Sequence, residues 1–345
     1  MMDLQRLVRP NIWSLKPYSS ARSEFKGSAE VFLDANENPF ETGLNRYPDP
    51  LQKSLKTAIS SIKEVAANQI FLGNGSDEAI DLLIRIFCEP QKDHILCLPP
   101  TYGMYRVSAD IANVAVREIP LTRTFQPAVE QILNTANECS KLLFLCSPNN
   151  PTGNNFEWNR MERLIEAFQG IVVVDEAYID FSQQRSCTSL LNKYANLVVM
   201  QTFSKAWGLA GIRLGMAFAS PAIITLLNKV KPPYNINQLT QNAALEALQN
   251  MASYQASLQA ILEQRSLLQN ELLKIPFIEK VYPSDANFLL MKVPDPDKLY
   301  NYLVQQKIIV RNRSKVLLCE GCLRITVGRA EEDTRLLNAL KNYKS

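Results

Sequence analysis

Short, uniformly apolar runs punctuate the first two thirds of the chain: QIFLG from Gln69, HILCL from His94, VAVREI from Val114, LLFLC from Leu142, IVVVD from Ile171, LVVMQ from Leu197 and RLGMAFA from Arg213. Most lack the polar alternation of a strand with one wet face, so they predict a mostly parallel sheet covered on both sides. The segments between them have helical period, with Ile80, Leu83, Ile84 and Phe87 on one face of the stretch 78–87. The expected architecture over residues 46–230 is a large α/β domain, doubly wound.

After residue 230 the texture changes. The stretch 241–273 reads as one long helix, and IEKVY, NFLLMKV, KIIVRN and LRITVG read as strands mixed with helices. Residues 231–345 are therefore expected to form a smaller α+β domain, divided from the large one at the proline-rich KPPYN, Lys231 to Asn235. Residues 1–45 are rich in proline and asparagine and too polar to build a core alone. This arm is expected to pack as part of the small domain or on a second subunit.

Composition narrows the partners. A chain of 345 residues, 46% of them hydrophobic, can fill a large core. Its 37 basic and 34 acidic residues give a net charge of +3, which argues against a nucleic-acid footprint and for small, individually placed basic sites. No apolar run approaches the roughly 18 residues of a membrane span. Seven scattered cysteines and a start, MMDLQRLVRP, without a signal-peptide core fit a soluble protein of the reducing cytoplasm. The one histidine, His94, sits in a strand and reads as structural. Cys319 and Cys322 form a lone CxxC that cannot complete a tetrahedral zinc site, so no metal is expected.

The candidate chemistry lies at strand ends. The stretch Leu197 to Gly215, LVVMQTFSKAWGLAGIRLG, runs from an apolar strand into Thr202, Ser204, Lys205 and, after a glycine-punctuated turn, Arg213. A desolvated amine beside another cation loses part of its proton and becomes a nucleophile, which suits Lys205 to a Schiff-base role; a solvated loop lysine is the alternative. Asp175 ends IVVVD, where ligands bind in α/β sheets. A carboxylate there could hold a pyridinium nitrogen protonated or serve a metal, and Tyr178 could present its phenol to the same ring. In GNGSDE, Gly73 and Gly75 allow a tight turn, Ser76 reads as the N-cap of the following helix, and the first turn offers N–H groups to a phosphate. Asp77 and Glu78 would repel that anion, so their side chains are expected to point elsewhere. Asn150 in SPNNPTG could donate to a ring oxygen and Tyr102 in PPTYGMY could stack on a heteroaromatic ring, although either could be a plain turn residue.

Taken together, GNGSDE, PPTYGMY, SPNNPTG, VVVDEAYIDF and TFSKAWGLAGIRLG, in this order and spacing, resemble the fold-type I aminotransferases dependent on pyridoxal 5'-phosphate. LDANENP, RYPDP and CLRITVG narrow the resemblance to the histidinol-phosphate aminotransferase family, over nearly the whole chain. The resemblance implies that Lys205 binds the cofactor aldehyde, Asp175 pairs with the pyridine nitrogen, Tyr178 and Asn150 bond the ring oxygen and Tyr102 stacks. It further implies a phosphate cup of Gly75, Ser76, Asp77, Thr202, Ser204 and Arg213, completed by Tyr47 from a neighbouring subunit, and hence a homodimer with shared active sites. Tyr18, Arg311 and Arg324 are the implied substrate contacts, Arg311 being taken over Arg313 because it follows its strand directly. The substrates implied are L-glutamate and the phosphate ester pair imidazole acetol phosphate and histidinol phosphate. A threonine-phosphate decarboxylase or an aromatic aminotransferase on the same scaffold is the alternative.

Overall fold

A computed structural model describes residues 4–18 and 30–344. Seven strands form the large sheet: β1 Ile70–Asn74, β2 His94–Cys97, β3 Ala115–Glu118, β4 Ser140–Cys146, β5 Ile171–Asp175, β6 Leu197–Thr202 and β7 Leu214–Ala219. Their spatial order is β1-β7-β6-β5-β4-β2-β3. β6, β5, β4, β2 and β3 run parallel, whereas β7 is antiparallel to both of its neighbours. The last apolar run thus departs from the parallel pattern. Residues 203–213 supply only a turn between β6 and β7, and a parallel return would need a longer crossover, usually with a helix.

Alternate residues of each central strand enter opposite cores, as the period of two requires. Val172, Val174, Leu143 and Leu145 pack beneath the helices Lys53–Lys63 and Trp158–Ala167. Ile171, Val173, Leu142 and Phe144 pack beneath the helices Gly75–Phe87 and Pro221–Val230. Complete burial of each such side chain is worth ~1.5–3 kcal/mol, which is why polar residues are confined to the strand ends. The edge strand β3 is largely exposed and carries Arg117 and Glu118. Charges of this kind blunt a free sheet edge.

The second sheet joins β8 Lys280–Val281, β9 Phe288–Lys292, β10 Arg311–Asn312 and β11 Cys322–Thr326 in the antiparallel order β10-β11-β9-β8. One face holds Leu289, Met291, Leu323 and Ile325 against the helices Pro296–Gln305 and Ala330–Asn342. The other face turns Phe288 toward Tyr178 and Ala206 of the large unit. Arg324 lies on that face.

Three sequence expectations change here. The stretch 241–273 is two helices, Gln238–Gln249 and Met251–Leu272, because Asn250 ends the first and caps the second by accepting from Ser253 N. Ile236, Ala244 and Leu248 join the core of the large sheet, so its helical layer extends beyond KPPYN. The start of the arm packs on the large unit rather than the small one: Val8 is buried in the core beside the helix Gly75–Phe87, and Arg9 N–H donates to Ile86 O at 3.0 Å. His94 is buried, with Nε2 2.6 Å from Ser140 Oγ, and burial lowers its proton affinity. It is a satisfied structural residue. Cys319 and Cys322 are buried with Leu290 as free thiols.

Candidate active site

Strand register brings the candidate residues to one edge of the large sheet. Asp175 pairs with Met200 on one side and Cys146 on the other; Thr202 and Gly73 both pair with Gly215. The C-terminal ends of β1, β4, β5 and β6 and the start of β7 therefore lie side by side. The space beyond them is a cavity lined by Gly75, Ser76, Asp77, Tyr102, Asn150, Asp175, Tyr178, Thr202, Ser204, Lys205 and Arg213.

Close backbone approach shapes the anion-binding end. Gly75 has φ +71°, and its N–H donates to Arg213 O at 2.7 Å. A Cβ on Gly75 would lie 2.6 Å from the Arg213 guanidinium, and one on Gly215 would collide with Ser76 N. Only glycine fits either place. The helix N-cap is Asn74, not Ser76, which falls in the first turn; Asn74 makes no side-chain cap bond. Glu78 instead turns back, accepting from Asn74 N at 2.5 Å and Asn235 Nδ2 at 3.0 Å, away from the cavity. Asp77 does not turn away. Its carboxylate stays on the cavity wall, accepting from Tyr102 Oη at 3.1 Å and lying 3.5 Å from Arg213 Nη2. Arg213 therefore offsets the charge expected to repel an anion, and its Nη1 also reaches Ser204 Oγ at 3.4 Å.

Asp175 is only 3% exposed. Its Oδ2 accepts from Tyr105 Oη at 2.6 Å and its Oδ1 from Ala177 N at 3.1 Å. Burial raises its carboxyl pKa, and these two donors oppose the rise. Tyr105 is fully buried, stacked on Phe144 with centroids 4.5 Å apart. The sequence reading passed over it. The available signal was its place in PPTYGMY, three residues beyond Tyr102.

Lys205 sits past the end of β6 with Nζ 5.6 Å from the Tyr178 ring centroid. Burial first, and then the Arg324 guanidinium, lower its proton affinity; Asp175 acts in the opposite sense. Tyr178 Oη accepts from Asn150 Nδ2 at 3.3 Å, while Asn150 Oδ1 accepts from Arg324 Nη1 at 2.6 Å. One asparagine thus links the cofactor-type cavity to the small sheet. Arg324 pairs with Arg311 across β10 and β11. Both lie in an adjoining cleft with Arg313, Asn150, Tyr178 and Lys205. Tyr18 and Tyr47 line neither space; Tyr18 is 75% exposed, and Tyr47 stacks on Tyr234 at 4.4 Å.

The donor set fits the cofactor that the sequence motifs imply. A first helical turn, two hydroxyls and a guanidinium suit a phosphate. A buried carboxylate with fixed donors suits a ring nitrogen, and the amine suits an aldehyde. Residues 26–340 match the model of the family Aminotransferase class I and II.

The chain belongs to that family.

A histidinol-phosphate aminotransferase of Cytophaga hutchinsonii is 56% identical over 345 residues, covering 99% of both chains. One of Parabacteroides distasonis is 55% identical over the full length of both. Among solved structures, the histidinol-phosphate aminotransferase of Clostridium acetobutylicum aligns with a TM-score of 0.80 at 26% identity, covering 87% of this aminotransferase and 90% of that chain. The L-threonine-O-3-phosphate decarboxylase of Porphyromonas gingivalis shares the fold, with a TM-score of 0.73 at 21% identity and coverage of 86% and 90%.

Proposed function

We propose that this aminotransferase passes the amino group of L-glutamate to imidazole acetol phosphate, giving 2-oxoglutarate and L-histidinol phosphate in histidine biosynthesis, with pyridoxal 5'-phosphate as cofactor. The observation that carries the reading is the cleft beside Lys205, whose other charged lining residues are Arg311, Arg313 and Arg324. A cleft of that charge suits a phosphorylated or doubly acidic substrate. The full-length relatives are named for a phosphorylated substrate, histidinol phosphate.

Pyridoxal phosphate, when bound, supplies an aldehyde that captures amino groups and a ring that draws electrons from the substrate α-carbon. Gly75, Ser76 and Asp77 N–H groups with Thr202, Ser204 and Arg213 would hold its phosphate. Asp175 would face its ring nitrogen, Asn150 and Tyr178 its ring oxygen, and Tyr102 its flat face. Lys205 Nζ takes the proton from the α-carbon of the amino donor and returns one to the α-carbon of the keto acceptor. Burial and the Arg324 guanidinium lower the proton affinity of Lys205, which favours that work. Arg311 and Arg324 hold the substrate anion by planar forks that fit carboxylate and phosphate alike. The two half-reactions share one site, so the kinetics are ping-pong.

The enzyme works as a homodimer. Tyr47 is half exposed outside its own chain's cavity, where in the dimer it would reach the cofactor phosphate of a second copy. Tyr18 adds a phenol to the substrate phosphate. Seven free thiols fit a reducing cytoplasm. No described helix is long and apolar enough to cross a membrane.

The test is product analysis with the purified, cofactor-loaded enzyme. Histidinol phosphate with 2-oxoglutarate is expected to yield glutamate much faster than phenylalanine does. Carbon dioxide released from threonine phosphate, or equal rates with phenylalanine, overturns the assignment.

A further inference from the structure

Arg311 opens the edge strand β10 and Arg313 follows just past its end, and both side chains line one cleft. Arg324 lies directly opposite Arg311 on β11. All three line the same cleft, which contains no aspartate or glutamate among its lining residues. None of the three guanidiniums forms an ion pair with a carboxylate among the described residues. Arg324 and Arg313 each carry a buried Nε without an acceptor. Arginine cannot relieve such crowding by releasing its proton, so the cluster needs an anion from outside the chain.

One fork satisfies one carboxylate, and Arg311 with Arg324 therefore suffices for the acid groups of glutamate. A phosphate monoester carries nearly twice the charge on three oxygens. We propose that Arg313 is a specificity-determining residue that supplies the third guanidinium to the phosphate of the substrate, and that it contributes little to binding of carboxylate substrates. Its backbone fixes it there: Arg313 N–H donates to Cys322 O at 2.9 Å, and its carbonyl accepts from Val316 N at 2.9 Å. Burial and the two neighbouring arginines both oppose its charge, as expected of a cation placed to meet a dianion. The inference rests on the phosphorylated substrate proposed above and adds a residue to that site.

The test compares two anions on holoenzyme of Arg313→Gln and Arg313→Lys. Kinetics are measured with histidinol phosphate and with glutamate, and binding of inorganic phosphate and of acetate by calorimetry. For Arg313→Gln, loss of a charge-assisted bond is expected to raise KM for histidinol phosphate and weaken phosphate binding about tenfold to hundredfold. Glutamate KM, acetate affinity and both kcat values should stay within about threefold, since the remaining two forks are intact. Arg313→Lys keeps the charge without the fork and should lose less on phosphate alone; it carries the comparison if the glutamine variant does not fold. Equal losses on both anions, or no loss on phosphate, overturn the proposal. If the unaltered enzyme ignores histidinol phosphate, the functional assignment fails, while the phosphate and acetate comparison still decides the role of Arg313.

Discussion

Tyr105 Oη donates to Asp175 Oδ2 at 2.6 Å in the fully buried floor of the cavity. The bond crosses from the helix Met104–Ile111 to the end of β5, and it leaves Asp175 with one fixed side-chain partner and one backbone partner. A carboxylate facing a ring must keep both its charge and its direction, and Tyr105 serves both. Tyr105→Phe removes a donor that opposes the effect of burial, so the Asp175 carboxyl pKa rises further. The acid limb of the pH–rate profile should move to higher pH, and kcat should fall about tenfold, the equivalent of one ~1.4 kcal/mol hydrogen bond. An unchanged acid limb would show that the bond is only structural.

Arg324 joins the small sheet to Asn150 at 2.6 Å, and Asn150 in turn reaches Tyr178 at 3.3 Å. Replacing Arg324 by Gln removes the cation proposed to hold the anion of either substrate. The loss of ~1.5–3 kcal/mol for a charged hydrogen bond predicts that kcat/KM falls about tenfold to hundredfold for both glutamate and the phosphate ester. Steady-state kinetics on both substrates check this.

Gly215 meets the start of the helix Gly75–Phe87 so closely that a Cβ would strike Ser76 N. Gly215→Ala should therefore destabilise the fold by ~1–3 kcal/mol through overpacking. It should also weaken cofactor binding, because the displaced turn carries the N–H groups proposed to hold the phosphate. Denaturant unfolding without cofactor and cofactor titration measure the two effects separately.

Lys56 is 7% exposed on the helix Lys53–Lys63, and burial with Lys231 nearby lowers its pKa to about 8. Lys231 is lowered to about 8 as well, yet its ammonium donates to Pro50 O, Pro233 O and Asn235 Oδ1 at 2.8, 2.8 and 3.0 Å. No such bond is formed by the Lys56 ammonium among the described residues. A folded-state pKa below the unfolded value means that the unfolded chain holds more protons between about pH 8 and 10.5, so this penalty is full below pH 8 and fades above it. Lys56→Met should stabilise the protein at pH 7, with a gain that shrinks between pH 8 and 10. Lys231→Met should destabilise it at pH 7 by stranding several carbonyls.

The central strands of the large sheet were legible because each is buried on both faces; Val172 to Val174 have no polar interruption. The direction of β7 was missed, because apolarity alone does not report direction; the short connection that precedes it was the signal. Arg311 and Arg313 posed a choice in sequence that the fold removes, since both line the cleft that holds Arg324. The break at Asn250 carried its own signal, a capping residue inside a helical pattern. Tyr105 was not legible. Its partner lies 70 residues away, and only the packing of the helix Met104–Ile111 on the sheet brings the phenol to Asp175.

Lys205 is proposed to bind the cofactor aldehyde opposite Asp175. Borohydride reduction of the loaded enzyme followed by peptide mass spectrometry tests it most directly. A pyridoxyl group fixed on the Lys205 peptide, and absent from Lys205→Ala together with turnover, is the result expected; a label on another lysine, or steady turnover by Lys205→Ala, would contradict it.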